Sequence, residues 1–145
     1  MSPVDVQLHH EVLTFYAQQM RLLDALDLEG YAATFTPDGV TDHAHRGERL
    51  EGRDAMLAAA RRALPRYRDV VVRHWNDHLL VSHDGPDRLL ASYCSLVTRT
   101  DTDGTVTFES SFFVSDVLVR DGEGALRTAS RTIHRDRPTA LDLAS

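Results

Sequence analysis

Residues Met20–His43 read MRLLDALDLEGYAATFTPDGVTDH, and the reading of this stretch decides the fold. Its first residues continue an amphipathic pattern that begins near residue 5, and a joint at Asp27–Leu28 breaks it. Asp27 is placed to cap a short second helix that holds Tyr31 and Phe35 inward. Pro37-Asp38-Gly39 is expected to end that helix in a turn, with a strand following over Val40–His45. Asp24 stands among leucines in the first helix, where a charge needs a partner.

Working outward, residues 5–26 carry Leu8, Val12, Phe15, Leu22, Leu23 and Leu26 at roughly helical spacing. Tyr16, Met20 and Asp24 are spaced i, i+4, i+8 and form one line along that helix. After the strand, Gly47–Gly52 reads as a loop. Arg53–Leu64 reads as a third helix with Leu57, Ala60 and Leu64 on one side, stopped by Pro65. From Val70 the period becomes strand-like. Segments 70–82, 88–99, 105–120 and 126–134 are separated by Asp- and Gly-rich turns, the pattern of an antiparallel meander. Helices first and an antiparallel sheet afterwards is the α+β class. Residues 1–145 read as a single domain, and 136–145 as a loose tail.

The composition narrows the function. Of 145 residues, 42% are hydrophobic and 26% charged, ordinary for a soluble protein, and no run approaches the length of a membrane span. The N-terminus lacks a basic region followed by an apolar core, so no signal peptide is expected, and a cytoplasmic location follows. Cys94 is the sole cysteine, which excludes an intramolecular disulfide framework. The net charge of −6 argues against nucleic-acid binding. All 16 basic residues are arginine, so Schiff-base chemistry on a lysine side chain and a P-loop lysine are both excluded. No GxGxxG, Walker or GxSxG motif is present.

A resemblance adds to this reading. LLDALDLEGYAATFTPDGV, GRDAMLAAARRAL, VVVRHWNDHLLV, ASYCSLV and VSDVLVRDGEGALRTASRTIHRD resemble the SnoaL-like branch of the NTF2-like superfamily, over roughly residues 8–136. The resemblance implies a cone in which N-terminal helices pack inside a curved, mixed or antiparallel sheet and leave a pocket open at one end. The superfamily hosts many activities on that cone, so the pattern specifies fold better than function. It also implies no cofactor, and a homodimer formed through the open sheet face, with Arg73, Trp75, Arg127 and Arg131 compatible with a partly covered outer surface.

Alternation along the strand from Val70 puts Val70, Val72, His74, Asn76 and His78 on one face. By the resemblance, His74 matches the pocket histidine of catalytic members such as scytalone dehydratase, and Asp24 their helix-borne aspartate. A carboxylate that fixes the tautomer of a histidine is the equipment of general acid–base catalysis. His43 lies where those relatives carry a pocket tyrosine. Ser110 and Asp116 share a face with Phe108, Phe112 and Val114, and Asp116 corresponds to an aspartate that polyketide cyclases of this type use. Tyr16 offers a hydroxyl, although core packing suits it better.

These residues point to a catalytic pair, Asp24 and His74, with Tyr16, His43, Ser110 and Asp116 as substrate-binding candidates. The expected activity is cofactor-independent dehydration, cyclisation or isomerisation of a small hydrophobic polyketide or aromatic intermediate. Asp42-His43-Ala44-His45 with His74 and His78 raises a metal, but the spacing matches no compact metal signature and none is expected. Two rival readings are a non-catalytic partner like the small subunit of a ring-hydroxylating dioxygenase, and a ligand-binding pocket protein without turnover.

Overall fold

A computed structural model describes residues 2–138. Helices α1 (Val6–Asp24), α2 (Leu28–Ala33) and α3 (Arg53–Ala63) accompany seven strands. The strands are β1 (Ser2–Pro3), β2 (Phe35–His43), β3 (Glu48–Glu51), β4 (Val71–His83), β5 (Leu89–Thr100), β6 (Val106–Arg120) and β7 (Leu126–Arg135). They form one sheet in the order β1-β4-β5-β6-β7-β2-β3. The meander β4–β7 is antiparallel as expected, and β2 lies parallel to β7, which makes the α+β sheet mixed.

The opening stretch folds largely by local rules. Asp5 caps α1 by accepting from the Leu8 N–H at 2.8 Å. The helix closes with Leu26 in the left-handed region at φ 61°. Leu26 N–H donates to Leu23 O at 3.0 Å and Asp27 N–H to Leu22 O at 2.9 Å, which satisfies two of the last carbonyls. Asp27 then caps α2, its carboxylate accepting from Gly30 N–H at 2.9 Å. The inward face of α1 (Val12, Phe15, Tyr16) packs on Leu89, Tyr93, Val114 and Leu118 of the sheet. Val12, Phe35 and Leu118 are fully buried, each contributing roughly 1.5–3 kcal/mol.

Three expectations need correction. Phe35 does not end the second helix but begins β2. The Pro37-Asp38-Gly39 turn is a wide bulge inside that strand, because Phe35 pairs with Thr128 and Val40 with Ser130. Gly39 suits the close approach there, since a Cβ would lie 3.0 Å from Thr36 O and 3.2 Å from Thr128 O, tighter than an ordinary contact. The loop at 47–52 contains β3, paired with β2. Its sequence, Glu-Arg-Leu-Glu, is short and charged and carries no strand signal. As for the tail, Asp136 is still tied to β6, its N–H donating to Ser111 O at 3.0 Å; residues 139–145 lie outside the described residues.

Further bulges re-aim side chains along the meander. In β4, Asp77 pairs with Cys94 but Leu80 with Ser92, so His78, at φ 58°, is one residue too many. Val72, His74 and Asn76 point inward before the bulge, and Leu79 and Val81 after it. His78 is therefore exposed and does not share the face of His74, contrary to the alternation. Glu109 is the extra residue in β6, which separates exposed Phe108 from Ser110. Ala129 is the extra residue in β7, and it turns Arg131 into the core, 3% exposed, rather than onto the outer surface.

Candidate active site

Asp24 is the last residue of α1, and His74 lies on the inner face of β4. Asp24 Oδ1 is 2.7 Å from His74 Nδ1, and Asp24 Oδ2 accepts from the His74 backbone N–H at 3.1 Å. One carboxylate thus holds both the ring and the backbone of the histidine. The side chains are 12% and 26% exposed, shielded but reachable. With a carboxylate at Nδ1 the ring proton belongs on that nitrogen, which leaves the Nε2 lone pair for a ligand.

A groove of about 660 Å³ runs between α1 and β4 over this pair, within the size range of small-molecule sites. Tyr16, Met20, Asp24, His74, Asn76 and Tyr93 are among the residues lining it. The i, i+4, i+8 line of α1 supplies three of them. The i, i+2 alternation of β4 supplies two more.

Tyr16 contributes a ring to the wall, but its hydroxyl points away from a donor role toward a ligand. Tyr16 Oη donates to Asp116 Oδ2 at 2.9 Å. Burial, with the Asp116 charge beside it, holds the phenol well above its ordinary pKa, so it keeps that proton.

Asp116 is not among the residues lining the groove. It is 3% exposed and engaged by Arg131, whose Nη2 and Nε donate to it at 2.7 and 3.0 Å. Arg131 also donates to Tyr31 Oη at 3.0 Å and Gln19 Oε1 at 2.6 Å. Gln19 Nε2 passes the network on to Thr34 and Thr128 at 2.8 and 3.1 Å. Burial works against the guanidinium charge, but Asp116, Tyr93 and Tyr31 outweigh it and Arg131 stays ionised. The Phe35 ring centroid lies 5.3 Å from the guanidinium carbon.

His43 and Ser110 also stand apart from the groove wall. Burial, reinforced by Arg46, lowers the His43 pKa to about 4. The ring is neutral at pH 7, so the 3.3 Å approach of His43 Nδ1 to Glu48 Oε1 is not an ion pair. His43 instead meets His45 edge-on at 6.0 Å, and His45 packs on Phe112 at 5.4 Å. Ser110 lies half-buried opposite Val97, beside the Glu109 bulge. Among the described residues no group of three or more His, Cys, Asp or Glu is placed to hold a metal ion. Among the described residues, too, no helix is long and apolar enough to cross a membrane.

Sequence reasoning missed Arg131 and Gln19. Gln19 carried a signal, since Tyr16, Gln19 and Met20 are spaced i, i+3, i+4 on the buried face. Arg131 carried none, because a bulge two residues earlier decides its direction.

Comparison with known proteins agrees with this architecture. The family model described as SnoaL-like domain matches residues 5–132. The structure of Aln2 from a Streptomyces species superposes with a TM-score of 0.85 at 37% identity, covering 93% of this chain and 95% of that one. A Catenulispora acidiphila structure in complex with S-DNPA gives 0.83 at 36% identity, covering 97% and 100%. An NTF2-like protein with a cystatin-like fold from Novosphingobium aromaticivorans gives 0.78 at 21% identity, covering 94% of this chain and 86% of that one. The β subunit of a putative aromatic-ring-hydroxylating dioxygenase from the same organism gives 0.76 at 18%, covering 97% and 98%. These last two show the shared fold alone. No curated protein matches the chain.

Proposed function

Because the chain belongs to the SnoaL-like family, we propose that it is a cofactor-independent acid–base enzyme acting on a small, hydrophobic, oxygenated polyketide or aromatic intermediate. The observation that carries this reading is the double hold of Asp24 on His74 at the wall of a groove rich in apolar and aromatic surface. The complex of the Catenulispora acidiphila relative with S-DNPA supports small-molecule binding by this chain as well.

In this mechanism Asp24 keeps the proton on Nδ1, so Nε2 acts as the general base. It takes a proton from carbon next to a substrate carbonyl, and the imidazolium that forms faces the Asp24 carboxylate, which stabilises it. The same proton is then returned. Returned to a leaving hydroxyl it completes a dehydration, to a second carbon an isomerisation, and to a carbonyl oxygen under attack by the carbanion a cyclisation. The Tyr16 and Tyr93 rings and Met20 exclude water around these steps.

The test is proton exchange. The hydrogens next to the carbonyl of 1-tetralone, an aromatic ketone, are followed by NMR in D2O with protein present. His74→Gln and Asp24→Asn should lower the protein-dependent rate at least ~10²-fold while the melting temperature is kept. Full activity in a folded His74→Ala protein sinks the proposal.

The outer sheet face favours an oligomer. Trp75, Leu96, Phe108 and Phe113 are exposed there at 56, 38, 76 and 42%, and register places Trp75 directly opposite Leu96. A homodimer that buries this face is part of the proposal. A hetero-oligomer with a large oxygenase subunit is the rival, and co-purification of such a subunit would favour it.

A further inference from the structure

Asn76 stands two residues after His74 on the same face of β4, and it lines the same groove. Its Oδ1 and Nδ2 are both buried, and among the described residues neither has a hydrogen-bond partner. A buried primary amide without partners is unfavourable and uncommon in native proteins. Packing alone does not call for it. The next inner positions of the strand are Leu79 and Val81, and an aliphatic residue at 76 would continue that surface. Ser95 lies opposite Asn76, and Phe112 opposite Ser95, yet neither takes the amide.

We propose that Asn76 is the second polar anchor of the groove and reads a ligand edge on which a hydroxyl sits beside a carbonyl. The inference rests on the acid–base reading of the groove and deepens it to a substrate class, the hydroxy-ketones. An amide presents a donor and an acceptor side by side, so its complement presents an acceptor and a donor. A carboxylate would offer acceptors only and leave Oδ1 unpaired. Along an extended strand, residues i and i+2 are about 7 Å apart, so one bicyclic hydroxy-ketone can lie against both side chains.

The experiment is calorimetric titration of the full chain with 2-hydroxy-1-tetralone and with 1-tetralone, which lacks the hydroxyl. The wild-type protein should bind the hydroxy-ketone at least ~10-fold more tightly. Asn76→Leu should bind the two ketones alike, with a melting temperature unchanged or raised, because an unpaired amide has been removed. A wild-type preference under ~3-fold, preference retained in Asn76→Leu, or no binding of either ketone overturns the proposal. A marked fall in melting temperature in Asn76→Leu overturns it as well, since the amide would then be paired within the fold. The acid–base reading fails separately. If His74→Gln leaves proton exchange intact while Asn76→Leu abolishes the preference, Asn76 stands as an anchor and the chemistry at His74 does not.

Discussion

Replacing Arg131 by methionine removes the cation that compensates Asp116 inside the core. Arg131 and Asp116 side chains are 3% and 0% exposed. Three donations to the carboxylate disappear together with those to Tyr31 and Gln19. Among the described residues, only the Tyr16 hydroxyl then remains as a side-chain donor to Asp116. Breaking a buried pair from one side costs about 3–5 kcal/mol, against a total stability on the order of 5–15 kcal/mol. With a urea slope of about 2 kcal/mol/M, the unfolding midpoint should fall by roughly 2 M at an unchanged slope. The partners are not equivalent. An orphaned carboxylate is relieved by taking up a proton, whereas a guanidinium cannot lose one. The deficit of Arg131→Met relative to wild type should therefore shrink as pH falls, and that of Asp116→Asn should not. In the double variant Asp116→Leu/Arg131→Met much of the loss should return, since no buried charge is left unpaired. A loss under ~1 kcal/mol in Arg131→Met at pH 7 would refute the reasoning. The network would then be open to water, and Asp116 would be available to a ligand after all.

Other consequences are simpler to state. Tyr16→Phe keeps the groove wall and removes one donor to Asp116, so urea melts should show a loss of about 1–2 kcal/mol while His74-dependent proton exchange is retained. His43, with its pKa near 4 in the fold and near 6.5 in the unfolded chain, is held neutral by folding. Its contribution is full above pH 6.5 and is lost as pH falls toward 4. His43→Gln should flatten the stability-versus-pH curve by roughly 1–3 kcal/mol across that window, measured as wild type minus variant. Trp75→Arg puts a charge on the apolar sheet face, and light scattering should show the proposed dimer shifted to monomer with proton exchange per chain retained if each groove is complete in one copy.

The helices and the meander were legible because their information is local. Periods of 3.6 and 2, an Asp cap and Asp-Gly turns are written in neighbouring residues. The facing of individual side chains was not, because single inserted residues decide it. His78, Glu109 and Ala129 each reverse the alternation after them. None has a composition that marks a bulge. His78 was accordingly read as inward and Arg131 as outward, and both point the other way. Asp24 escaped this failure because it lies on a helix, and His74 because it precedes the bulge of its strand. Asp116 does face inward as its strand pattern implied, but the arginine that occupies it could be seen only once β6 and β7 were in register.

The line Tyr16–Met20–Asp24 on α1 joins two polar systems that the fold keeps apart. At one end the Tyr16 hydroxyl donates a hydrogen bond to a network sealed around Arg131 and Asp116. At the other Asp24 meets His74 beside open space. Met20, 8% exposed, lies between them as an apolar spacer. Asp24 is also at the helix end where the macrodipole is negative and a carboxylate is disfavoured by roughly 0.3–1 kcal/mol. The carboxylate at the helix end is held by the His74 ring and the His74 backbone N–H. The placement turns the His74 ring so that Nδ1 meets the carboxylate and Nε2 faces away from it, at the wall of the groove, which is the orientation the proposed chemistry requires.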